Sequence, residues 1–317
     1  SNLAEGRLSR MSRMLLRRAM GVIPVAGAMV ASGPRLCRSE AAGGWGFGMF
    51  GRPASTSTHD ALSKVPPIKI YQYEICPFCN KIKALLDYHK VPYSTVEVNP
   101  LTKKEFKVTK ELPEDHPAHN YKKVPIALIG EDIIGDSPAI LDRVVKDLIS
   151  AGVITGAEAK QCSDVKVLEW VKWTDSKLAI LLFPNLTRTF NDSYEAFGYI
   201  WDAPNFSLAD KLSNRMAGSL AMWLAQGKIK KKYNIQDERK ALYDCVDEWT
   251  NALQGLPFNG GQQPNLADLC VFGTLRAVEG SETQRQLLAE TQLGPWYARM
   301  EEKVGARSNA RIGRYAE

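Results

Sequence analysis

Histidine is scarce in this chain: four residues in 317, and none beyond His119. Cysteine is sparse as well, with six residues at 37, 76, 79, 162, 245 and 270, of which only Cys76 and Cys79 are close in sequence. A structural zinc site needs a second ligand pair at metal spacing. Neither the isolated cysteines nor His89, His116 and His119 supply one, so no metal is expected. The spacing also lacks the evenly paired cysteines of a secreted disulfide framework, and a reducing interior suits it better. No apolar run reaches the ~20 residues of a membrane span; the uncharged stretch "AMGVIPVAGAMVASGP" has 16 residues with Gly and Pro inside. Nor is there a basic face for nucleic acid. The net charge is +6, but residues 1–60 hold eight Arg, no Lys and three acids, leaving 33 bases and 32 acids over the rest. A nucleic-acid partner is therefore rejected for the folded part. The one basic cluster there, "KIKKK" at Lys228–Lys232, reads as a solvated helix end.

The chain divides into three parts. Residues 1–60 read as a targeting and tether segment with a linker. "RLSRMSRMLLRR" is Arg-rich and poor in acids, as in a mitochondrial presequence. A short N-terminal membrane anchor is the alternative, and "EAAGGWGFGMFGRPASTST" is linker in composition. Over 61–150 strand and helix patterns alternate: "PIKIYQY" as a buried strand, "PFCNKIKALLDYHK" as an amphipathic helix, "PYSTVEV" as a second strand. "VPIALIGEDIIGDS" follows as a hairpin, and a helix starts at Asp136 or Ser137 with Pro138 in its first turn. This β-α-β-β-β-α order is the plan of a thioredoxin- or glutaredoxin-like α/β domain. Over 151–317 the strand signal disappears and helical periodicity takes over, so an all-α second domain is expected. The Trp residues at 170, 173, 223, 249 and 296 recur within those patterns and read as core.

Cys76 is the candidate reactive group. It falls where the first strand gives way to the first helix, and unpaired N–H groups and the helix dipole there favour a thiolate. Cys79 lies one turn along the same helix, within reach. The plain alternative is a pair of buried structural cysteines. Pro125, before the third strand, reads plainly as a rigid turn; in thioredoxin-like folds a cis proline there leaves the backbone of the preceding residue, here Val124, open to a peptide-like ligand. Asp136–Ser137 is first a helix cap, and the same N-terminus suits a ligand carboxylate. "PNLADL" reads as a capping box, Asn265 paired with Asp268, with a folding role.

Taken together, the Cys-Pro-Phe-Cys turn, "YKKVPI", "GDSPAI" and the "GGQQPNLAD" segment resemble the glutathione transferase superfamily, over roughly residues 67–304. They are most similar to its branch of thiol-dependent prostaglandin endoperoxide isomerases. The resemblance implies a thioredoxin-like domain followed by a glutathione-transferase C-terminal-like helical domain. It implies Cys76 as the catalytic thiol, Tyr73 as its catalytic companion, and Cys79 as a tuning or resolving thiol. It further implies glutathione bound by Phe78, Val124, Pro125, Asp136 and Ser137. Some members hold haem beside glutathione, using polar residues, including a His, on the first long helix. Here that helix reads "WTDSKLAILLFPN", without His and with Ile180 and Phe183 apolar, which counts against haem.

The expected function is a glutathione-binding isomerase converting prostaglandin H2 to E2, with a small lipid as substrate. Two rivals stand beside it: a glutaredoxin-like thiol transferase acting on thiol substrates, and a non-catalytic subunit of a larger mitochondrial membrane complex. A homodimer is equally compatible with the family.

Overall fold

The computed structural model describes residues 60–305 and 309–311. The targeting segment, anchor and linker expected over 1–60 lie outside these, Asp60 apart.

Strand β1 (Ile68–Gln72) buries its alternate residues 68, 70 and 72, and β2 (Tyr93–Glu97) does the same at 93, 95 and 97. This period-2 burial places both strands inside a sheet. They pair in parallel, with helix α1 (Pro77–Tyr88) as the crossover. The antiparallel hairpin β3 (Ile126–Ile129) and β4 (Asp132–Gly135) adds to the far side of β1, turning through Gly130 at φ +60°. Helix α2 (Ser137–Ala151) closes the unit, with Asp136 as its N-cap and Gly152 left-handed at its C-terminal end. One addition was not anticipated. Backbone at Asn309–Arg311, in a region expected to be wholly helical, forms β5 and pairs in parallel with β2, giving the order β4-β3-β1-β2-β5. Three residues are too few for a period-2 pattern, and the exposed edge of β2 supplies what the local sequence does not.

The remainder is helical. Helix α3 (Val165–Trp173) runs through a π-turn at Thr174–Leu178 into α4 (Ala179–Leu186). There follow α5 (Phe190–Ala196), α6 (Leu208–Ser213), a second π-turn at Asn214–Gly218 and α7 (Ser219–Lys232). The last four are α8 (Glu238–Ala252), α9 (Leu266–Leu275), α10 (Glu282–Glu290) and α11 (Leu293–Val304). Every residue of α9 is buried. Its start is the expected capping box, and Asp268 does more than cap: it accepts from the N–H groups of Asn259, Gly260 and Asn265 and from Trp296 Nε1. Trp249 and Trp296 are buried core residues, with Trp170 edge-on to Trp249 and Trp173 stacked beside it. Trp223 departs from the expectation. It is 37% exposed.

Helix α1 is held from both sides. It is buried without interruption from Cys79 to Asp87, including Lys81, Lys83 and Asp87. An ordinary surface helix buries one stripe; this one lies between the sheet's own core and α9. Each buried charge has a counter-ion: Lys81 Nζ lies 2.6 Å from Asp175 Oδ1, Lys83 Nζ 3.3 Å from Glu74 Oε2, and Arg276 Nη1 2.6 Å from Asp87 Oδ2. Tyr93 also donates to Asp87. The closest approach of α1 to α9 is at Gly273, where a Cβ would stand 2.5 Å from Lys81 Cα and 2.6 Å from the Asn80 carbonyl oxygen.

Because those contacts are backbone, Gly273→Ala cannot be relieved by a side-chain turn. We expect it to destabilise the protein by about 1–3 kcal/mol or more, read as a lower urea midpoint at unchanged slope. An unaltered midpoint would show that α1 and α9 can separate freely.

Candidate active site

The end of β1 delivers residues 73–75 to the N-terminus of α1, where Cys76 is the N-cap and Pro77 opens the first turn. A network of polar side chains holds this turn. Glu97 at the end of β2 accepts from the Glu74 N–H (3.0 Å), Gln72 donates to both Glu74 and Glu97, and Asn80 Nδ2 donates to the carbonyls of Glu74 (2.7 Å) and Cys76 (3.1 Å). Cys76 is 9% exposed and Cys79 fully buried, both as free thiols.

Burial pushes the Cys76 thiol up, but opposing contacts prevail. The Cys79 S–H donates to its sulfur, the Cys79 and Phe78 N–H groups point at it, and the Lys83 ammonium lies near, so it falls below an ordinary cysteine. Cys79 goes the other way, raised by burial and by the thiolate beside it. The pair thus separates into one nucleophile and one proton-bearing donor, as expected at a helix N-terminus. Lys83 is lowered to about 8, chiefly by burial, with the neighbouring negative charges opposing. Burial and the nearby negative charges raise Tyr73, which keeps it protonated as a donor.

Cys76 opens onto an apolar cavity of about 420 Å³. Tyr73, Ile75, Pro77 and Phe78 form its thioredoxin-like wall, and Leu182, Phe183, Phe197, Tyr199, Gly218 and Met222 are among the residues of its helical wall. Phe183 faces it, whereas Ile180 lines a different cavity beside Lys177 and Asp244. The polar side chains of the lining are Tyr73, Cys76, Thr187 and Tyr199, and no Lys, Arg or His is among them. Nothing there meets the propionates of a haem. The residues do not fit that group.

The expected ligand-anchoring residues come together differently. The Val124–Pro125 bond is cis, Pro125 is buried, and Val124 precedes the first paired residue of β3, Ile126. Asp136 is exposed at φ +73° and accepts from the Ser137 N–H at 3.1 Å. Three residues belong to the site that the sequence did not mark. Tyr121 stacks on Gly135, its ring atoms filling the space a Cβ would need, and its hydroxyl is raised to about 12, first by burial and then by the negative charge of Asp136 and the cysteines. Tyr199 is raised by burial and by Glu97, Tyr73 and the cysteines, and it comes from a 3-10 turn at Phe197–Asp202. Lys83 is the third, and a lysine one turn below a Cys-x-x-Cys is the only one of these signals visible in sequence.

A thioredoxin-like unit with a thiol at its first helix, docked on a helical bundle that supplies the substrate wall, defines a protein of the glutathione transferase fold. Residues 70–147 match the family model of the glutathione S-transferase N-terminal domain. Among curated proteins, prostaglandin E synthase 2 of Danio rerio is 31% identical, covering 81% of this chain and 79% of its own. Prostaglandin E synthase 2 of Mus musculus is 32% identical, covering 77% and 72%. The chain belongs to the prostaglandin E synthase 2 family. Solved structures similar to the chain include a glutathione transferase of Populus trichocarpa (17% identity, TM-score 0.43, 75% of this chain and 97% of that one) and a Sphingobium beta-etherase (15%, 0.47, 74% and 94%).

Alkylation of Cys76 against pH should give a midpoint below the ~8.5 of an unperturbed thiol, while Cys79 stays unreactive. Lys83→Met should move that midpoint upward, since it removes a positive charge that favours the thiolate. A wild-type midpoint at the ordinary value would remove the case for an activated thiol.

Proposed function

We propose that this protein is a glutathione-binding isomerase that converts prostaglandin H2 to E2, with Cys76 as its thiol. The observation that carries the reading is a lowered thiol at the polar end of an otherwise apolar cavity. A lipid endoperoxide needs such a pairing: apolar walls for its chains and one soft nucleophile for its weak O–O bond. The Cys76 sulfur bonds to one peroxide oxygen and the O–O bond breaks. The second oxygen departs as an alkoxide, stabilised by the Tyr73 hydroxyl, and takes a proton to become the product hydroxyl. The ring carbon bearing the first oxygen then loses its hydrogen as a proton. The C=O forms as the S–O bond breaks, and the thiolate returns. One proton is gained and one lost, so no external oxidant or reductant is consumed.

Glutathione, when bound, adds a second thiol beside the substrate. The residues that fit it are Val124, through its backbone before Pro125, Phe78 on the cavity wall, and Asp136 with Ser137 at the N-terminus of α2. Replacing Asp136 by Ala should weaken glutathione binding by about 1.5–3 kcal/mol if the carboxylate holds the ligand's ammonium. Calorimetric titration checks this, and unchanged affinity in a folded variant would leave Asp136 as a cap alone.

One observation favours a second reading, the glutaredoxin-like thiol transferase: the two thiols are already hydrogen-bonded to each other, the juxtaposition that disulfide closure requires. The readings part at Cys79. An isomerase should lose activity in Cys76→Ser and keep much of it in Cys79→Ser, assayed on prostaglandin H2. A dithiol transferase should fail in both when assayed on a protein disulfide without added glutathione. If both activities sit at background in the wild type, only the accessory-subunit reading survives.

A further inference from the structure

Outside the thiol site, the outer face of the α6–α7 rod is an apolar surface with no role assigned to it above. Leu208, Leu212, Met216, Leu220 and Leu224 follow one another at intervals of four and are 65, 50, 56, 45 and 62% exposed. Trp223 lies beside them at 37%, edge-on to the ring of Phe190, itself 38% exposed. A series at intervals of four drifts by about 40° per step around a plain α-helix, which would carry it off any single face. The π-turn at Asn214–Gly218 absorbs one extra residue in mid-series and draws the row back toward one side. The result is an apolar ridge about 24 Å long over the 17 residues from Leu208 to Leu224.

Beyond Asp210, which pairs with Lys104, the charge on the same rod is of one sign. From Lys211 to Lys232 there are six bases and no acid. Lys228, Lys231 and Lys232 are exposed at the C-terminal end, with Tyr233 beside them under the Lys232 ammonium at 4.9 Å. Of the two acids that follow, Asp237 caps α8 and Glu238 is engaged by Lys230 and Arg188. A helix with Leu, Met and Trp on one face and lysines without acids at its end matches an interfacial helix on an anionic bilayer.

We infer that the α6–α7 ridge is a membrane-docking surface whose partner is an anionic lipid bilayer. The same rod carries Gly218, Ala221 and Met222 into the cavity wall at Cys76, so docking sets that cavity beside the acyl region. The surface stands independently of the chemistry assigned to Cys76. The lysine cluster is then a headgroup contact rather than a solvated helix end.

Sedimentation of the full chain with phosphatidylcholine vesicles, with and without phosphatidylserine, tests this. The wild type should partition onto the phosphatidylserine vesicles and only weakly onto the neutral ones. Leu220→Glu with Leu224→Glu should reduce that partition more than tenfold, and each of Lys228→Gln, Lys231→Gln and Lys232→Gln by about fivefold at low salt. The Cys76 alkylation profile and far-ultraviolet dichroism verify that the variants are folded. Partition that persists unchanged in the folded variants would place the lipid contact elsewhere in the chain and overturn the inference. So would a vesicle-free dimer that the two Leu→Glu changes dissociate without altering lipid partition, which would make the ridge a contact between copies.

Discussion

The contact between α1 and α9 at Gly273 is the constraint on which the site rests. A helix that begins with a reactive thiol must be held at its start, and here it is held along its whole length. The sheet grips it from one side. From the other come Asp175 and Arg276, residues of the helical region that neutralise Lys81 and Asp87. Buried ion pairs of this kind stabilise little in themselves, but losing one partner strands a charge in the interior. The orientation of Cys76 is therefore a joint property of both halves of the protein. Neither half defines it alone.

Beneath the thiol, polar groups make the difference between two chemically identical cysteines. Cys76 receives the Phe78 and Cys79 N–H groups because it stands before the first helical turn, whereas for Cys79 a backbone hydrogen bond at Tyr73 is outweighed by burial and by the neighbouring thiolate. Glu97, Gln72 and Asn80 have no direct contact with the reacting sulfur in this scheme. They hold the backbone of the turn so that the N–H groups point the right way. The apolar cavity then contributes by exclusion, since its walls leave the thiol and two tyrosine hydroxyls as the principal polar groups a lipid peroxide meets.

Much of this was legible beforehand where local rules and tertiary structure agree. The alternating strands, the Gly130 turn, the Asp136 cap and the Asn265–Asp268 box are short-range features, and their residue types name them. Other features arise from contacts distant in sequence and leave no local trace. Lys81 and Lys83 read as the polar side of an amphipathic helix, yet both are buried because their partners arrive from Asp175 and Glu74. Tyr199, in a short 3-10 turn, and Tyr121, at the head of the YKKVPI segment, carry no chemical signal of their own and reach the site through the packing of their neighbours. Strand β5 exists because β2 has an edge to offer. Trp223 looked like core because its neighbours have helical spacing, a pattern that does not tell a buried stripe from an exposed one.

The arrangement of tryptophan has an optical consequence. All seven lie outside 61–150, and Trp170, Trp173, Trp249 and Trp296 form one chain of ring contacts with centroids 4.9–6.4 Å apart. Excitation absorbed by any of these four passes readily to its neighbours, so together they emit as one chromophore buried in the helical region. The thioredoxin-like half has tyrosine alone and is dark at the red edge of excitation. Apart from Trp45 in the N-terminal segment, tryptophan emission therefore reports the helical half and is silent on fraying of the thiol-bearing sheet, whose integrity is visible through tyrosine or through a label placed on Cys76 itself.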